Sequence, residues 1–297
     1  MAIIAGTASG VEVLGGNGSG ELRGHACAAL AGQGIHMWAL IDDRKVYRRS
    51  GEGSWEGVAE ASDRRGRCLL LHGGRLYVGT DEAHLLRMNG ALEPVAPFDE
   101  IEGREKWYTP WGGPPDTRSI SASHGTIYVN VHVGGIVRSA DDGESWEPTI
   151  DIDADVHQVM THPDLPGLVL ASTAWGLARS EDGGVAWSFH DEGLHASYSR
   201  AVAIAGKTVL VSASTGPRGG RAALYRRPLE GDDPFERCAA GLPEWFPGNI
   251  DTHCLAASGS TVAFGTADGD VFLSEDEGRT WQQAASGLSP VRALLLP

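Results

Sequence analysis

The sequence predicts an all-β fold, seven small antiparallel sheets set in a ring around a central channel. Three observations point to it. A Ser-x-Asp-x-Gly-x-x-Trp motif recurs along the chain. Seven short apolar segments, each opened by His or Arg, recur with it. The two ends of the chain each hold only part of one such unit. Glycine supplies 41 of 297 residues, as a chain of many tight turns requires.

The motif occurs as Ser139–Trp146, Ser180–Trp187 and Ser274–Trp281, with a shortened relative at Ser50–Trp55. The first two copies begin 41 residues apart and the next follows after 94, which leaves room for one degenerate copy. Each full copy follows a short apolar strand, which predicts a hairpin turn. There the Asp accepts from the turn's own amides, the Gly permits positive φ, and the Trp covers the sheet edge.

The second repeat consists of apolar runs starting at His25, Arg67, Arg118, His157, Arg200, His253 and Arg292. A turn and a second strand, such as Gly74–Gly79 or Thr261–Gly265, follow most of them. Seven units of four short strands make a seven-bladed β-propeller spanning residues 1–297 as one domain. Arg292–Leu296 lacks a following strand, and Ile3–Thr7 with Val11–Leu14 lacks a preceding one. Pairing the two ends completes a blade and removes exposed sheet edges. Six blades with unpaired ends is the alternative.

Bulk properties narrow the partners. A net charge of −15 disfavours nucleic acid and anionic membranes. No run reaches the roughly 20 apolar residues that span a bilayer, and Met1–Thr7 lacks the basic start of a secretory leader. Cys27, Cys68, Cys238 and Cys254 show no CxxC spacing and read as buried free thiols. A cytoplasmic monomer is the expectation.

Within this acidic chain, the seven His and Arg positions are expected to encircle one channel mouth as a local positive well. Asp116, Asp155 and Asp251 each stand two residues before a ring member, where they could orient it or move a proton. Three readings follow. The ring pairs structurally across the channel; or Arg67, Arg118, Arg200 and Arg292 hold an anion while His157 and His253, with Asp155 and Asp251, act as acid and base; or His25, His157 and His253 ligate a metal. The metal reading is the weakest, because arginine repels cations, and no cofactor is expected.

Loops on the same face carry aromatic residues that turns do not require. Trp107, Tyr108, Trp111, Trp175 and Trp245 are candidates for a binding wall, together with His132 and Tyr198. Packing as lids over the blade tips is the structural alternative.

The motif resembles the Asp-box, or BNR, repeat of sialidases and other propellers. The resemblance covers the chain and is specific for fold. In that group the box usually lies opposite the active face. Sialidases of the group carry an Arg-Ile-Pro motif on six blades, whereas this chain has no such motif and its predicted blade count differs. Xyloglucanases of the group use a larger two-propeller chain, and a photosystem II assembly factor of the group is non-catalytic. What the resemblance leaves open is a binder of an anionic small molecule or glycan, with hydrolase-like or lyase-like activity, or an interaction scaffold for a protein partner.

Overall fold

The computed structural model describes residues 2–15, 18–51, 53–61 and 63–297. Its strands form seven four-stranded antiparallel sheets. Blade 1 comprises Cys27–Gln33, His36–Ile41, Lys45–Ser50 and Glu56–Glu60. The inner strands of blades 2 to 6 are Gly66–His72, Thr117–Ser123, Val156–Thr161, Val202–Ala205 and Leu255–Ser258. In blade 7 the inner strand Val291–Leu295 pairs with Ile3–Thr7, which continues to Gly10–Leu14 and Ser19–Glu21. The ends therefore close the ring, and the six-bladed alternative falls. No helix among the described residues is long and apolar enough to cross a membrane.

Alternation along the strands puts the core between blades. Phe246, Phe264, Phe272 and Trp281 pack together beside blade 6, with ring centroids 5.0–5.5 Å apart. Leu40, Leu69 and Val78 fill the space between blades 1 and 2. All four cysteines are buried and unpaired.

The three full motifs adopt one hydrogen-bonded turn between the third and fourth strands of blades 3, 4 and 6. In each, the Ser Oγ donates to the Asp Oδ1 at 2.8 Å and accepts the Gly N–H at 2.8–2.9 Å. The Trp Nε1 donates to that glycine's carbonyl at 3.0–3.1 Å. The glycine takes φ between +81° and +91°, where a side chain is strained. The shortened copy differs. Its Glu52 lies outside the described residues, and Trp55 donates to Glu21 of blade 7. The degenerate copy anticipated between the second and third falls in blade 5, where residues 229–235 connect Ala223–Pro228 to Glu236–Arg237 and Phe235 is buried.

Candidate functional site

The basic column is produced by a repeated β-bulge. In blades 2, 3 and 4, one inner-strand residue has no partner across the ladder, and it is Arg67, Arg118 and His157 respectively. Arg292 is skipped in the same way between Val291 and Ala293. Arg200 and His253 precede the points where blades 5 and 6 resume pairing, at Ala201 and Cys254. A bulge adds one residue and re-aims its side chain, so a strand buried on both faces can still present a polar group to the channel.

Blade 1 breaks the expected pattern. Its bulge residue is Ala28, between Cys27 and Ala29. His25 lies upstream, half-exposed, with Nδ1 2.8 Å from Asp42. It does not belong to the column, and among the described residues His25, His157 and His253 do not form a metal-holding group.

Asp251–Cys254 crosses the mouth. His253 takes φ +64° and its Nε2 donates to the Arg118 carbonyl at 3.1 Å. Thr252 Oγ1 lies 3.2 Å from the His157 carbonyl and 3.1 Å from that of Arg200. His253 thus stands between two spaces. One is a mouth pocket of about 370 Å³ lined by Arg67, Trp111, Arg118, His132, His253 and Arg292, with Ala28, Asp116, Asp251 and Thr252. The other is a space of about 250 Å³ bordered by Leu30, Leu69, Ile120 and Leu294 together with Ser121, Gln158 and Thr161.

The aspartates reach across blades. Asp251 takes Arg118 at 3.3 Å and Arg200 at 3.1 Å, instead of orienting His253. Asp116 pairs with Arg67 at 3.1 Å, instead of with Arg118. Only Asp155 meets the ring member that follows it, with Oδ2 3.4 Å from His157 Nε2. Burial opposes ionisation of Asp251, but the two guanidiniums outweigh it and hold the carboxyl below its ordinary value. Asp116 is raised by burial, which Arg67 only partly offsets. Arg292 is exposed and makes no hydrogen bond or ion pair among the described residues.

A separate cluster flanks the pocket. Asp155, at φ +48°, directs its two oxygens at two imidazoles, Oδ1 to His132 Nε2 and Oδ2 to His157 Nε2, both at 3.4 Å. His157 is wholly buried, and its Nδ1 donates to the Ser199 carbonyl at 2.6 Å. Burial pushes His157 below the usual imidazole value.

Of the aromatic candidates, Trp111 alone lines the mouth pocket; it is 67% exposed, with its ring 5.2 Å from His132. Tyr108 is also exposed. Trp107 packs against Phe98 under the Arg104 guanidinium. Trp245 lies between Arg221 and Arg237, and Trp175 rests edge-on against Phe189. Tyr198 accepts a hydrogen bond from Arg200 and packs 4.7 Å from the His157 ring. Thr252 and Ser199 escaped the sequence reading, though Thr252 stands between two residues it singled out.

No family model and no curated protein sequence matches this chain. Solved structures do share its architecture. YCF48 bound to a D1 peptide superposes with a TM-score of 0.59 at 18% identity, over 95% of this chain and 84% of that one. The computationally designed Ika8 protein gives 0.64 at 14% identity, over 100% and 87%. An ancestral GH74 enzyme gives 0.65 at 14% identity, over 97% of this chain but only 41% of the enzyme. At these identities the likeness is one of fold.

Proposed function

We propose that this chain is a small Asp-box propeller that binds a small anionic ligand, bearing a carboxylate or phosphate, in the mouth pocket. One observation carries the reading. Arg67 is paired with Asp116, and Arg118 and Arg200 share Asp251, whereas Arg292 lines the same mouth pocket as Arg67 and Arg118 with no partner among the described residues. An unpaired guanidinium beside other arginines favours a two-oxygen anion. Trp111 supplies an apolar wall for the rest of the ligand.

The paired arginines shape the pocket more than they charge it. Asp251, held ionised by two guanidiniums, is suited to fixing the mouth rather than donating a proton. The geometry therefore favours binding over acid–base turnover through Asp251 and His253. A larger recess of about 620 Å³ on the box face, beside Arg179 and Trp187, is a poorer candidate, because Arg179 is already bound to Glu181 and the Leu229 carbonyl. The buried free thiols accord with a reducing compartment such as the cytoplasm.

A second reading, docking of a peptide, rests on Trp111 and Tyr108, which are exposed at the rim. The structurally similar YCF48 was solved with a peptide bound, and a peptide's terminal carboxylate is itself an anion. Calorimetric titration with inorganic phosphate and with citrate, at constant ionic strength, tests the principal reading. Saturable binding should weaken about 10- to 100-fold in Arg292→Ala, the loss of one charge-assisted contact. Equal isotherms for the variant and the parent would refute it.

A further inference from the structure

The cluster beside the mouth pocket has a chemistry of its own. The Ser199 carbonyl can only accept, so the hydrogen it receives at 2.6 Å sits on His157 Nδ1. In the neutral ring, Nε2 then carries a lone pair. That lone pair is buried, has no hydrogen-bond partner, and faces a carboxylate oxygen at 3.4 Å. Asp155 Oδ1 is likewise buried without a hydrogen-bond partner, facing His132 Nε2 at 3.4 Å. A buried lone pair set against a carboxylate calls for a positive charge between them.

The spacing suits an ion. Tetrahedral coordination with bonds of about 2.0–2.1 Å puts neighbouring donors about 3.3 Å apart, close to the 3.4 Å between His157 Nε2 and Asp155 Oδ2, while His132 Nε2 stands 3.4 Å from the other oxygen of that carboxylate. The three donor atoms lie within 4.8 Å of one another. The Nδ1–H to carbonyl bond of His157 is the outer contact that commonly fixes the tautomer of a metal-ligating histidine. Two imidazoles and a carboxylate are a donor set for first-row transition ions. Arg118, the cation that acts on His157, is held on Asp251.

We propose that His132, Asp155 and His157 hold a divalent first-row transition-metal ion in the wall of the mouth pocket. It joins blade 4, through Asp155 and His157, to His132 in the loop after the second strand of blade 3. Because His132 also lines the mouth pocket, the ion stands beside the ligand space. The proposal is independent of the anion reading.

The test is calorimetric titration of the full-length, tag-free, chelator-stripped protein with Zn²⁺ alone, followed by Co²⁺ with visible absorption. The expected result is one saturable equivalent of Zn²⁺, and Co²⁺ bands of a low-symmetry nitrogen–oxygen site. Asp155→Asn and His132→Gln should each weaken Zn²⁺ binding about 100-fold. His132 lies at the pocket wall, so His132→Gln carries the test if Asp155→Asn fails to fold. Absence of saturable binding to the parent protein would overturn the proposal, and would mean that a proton fills the gap instead. Undiminished binding by the folded variants would overturn it as well.

Discussion

Asp251 shows how much of the mouth depends on single side chains. Its carboxylate joins Arg118 from blade 3 and Arg200 from blade 5. Both guanidiniums are mostly buried, at 19% and 17% exposure, while about half of the Asp251 side chain meets solvent. Asp251→Asn leaves two buried cations without their counter-charge. A loss of about 2 kcal/mol is expected in urea denaturation, less than for a fully buried pair because solvent screens the carboxylate. An unchanged midpoint would show that the bridge contributes nothing. Most of the column was legible at this scale, since His or Arg opening an apolar run is visible in the sequence. Its error at His25 has a physical cause. The bulge in blade 1 holds Ala28, and a register shift leaves no mark when the residue concerned is apolar. The partners of Asp116 and Asp251 were not legible, because they lie on other blades and depend on the geometry of the closed ring.

The hairpin turns of blades 3, 4 and 6 are the elements that sequence described best, since all their bonds fall within eight residues. Ser274 Oγ donates to Asp276 and accepts from Gly278 while nearly fully buried. Ser274→Ala leaves the Gly278 amide unsatisfied and is expected to cost about 1–3 kcal/mol, a lowering of several degrees in thermal melts. The aspartates add a pH dependence. Burial opposes the charge of Asp276, but the Thr280 amide and hydroxyl and the Ser274 hydroxyl together outweigh it and lower its pKa to about 2. Asp141 lies at about 2 through the Ser145 hydroxyl and amide and the Ser139 hydroxyl. A depressed carboxylate stabilises the fold above its unfolded value of 3.8 and stops doing so as pH falls through the folded value. The melting-temperature difference between the parent and Asp276→Asn should therefore be full above pH 5 and shrink toward pH 2. A difference independent of pH would contradict the assignment. The shortened copy at Ser50 lies at the corresponding turn of blade 1, but its Trp55 donates to Glu21 of the neighbouring blade.

At the scale of the whole molecule, closure through Val291–Leu295 and Ile3–Thr7 turns seven sheets into a ring with two unlike faces. The hydrogen-bonded turns occupy one face. The bulges, the crossing segment Asp251–Cys254 and the exposed Trp111 gather at the other. The order of blades was legible because each repeats the last. The plugging of the channel by His253 and the meeting of His132 with Asp155 were not, since each joins residues of different blades. The central claim is that the mouth pocket, with Arg292 as its free cation among the described residues, is where this propeller takes an anion. Crystals soaked in selenate and measured at the selenium absorption edge test it most directly. An anomalous peak within hydrogen-bonding distance of the Arg292 guanidinium, inside the pocket bordered by Arg67 and Trp111, is the predicted result. An empty mouth, with selenate bound only on the turn-bearing face, would contradict it.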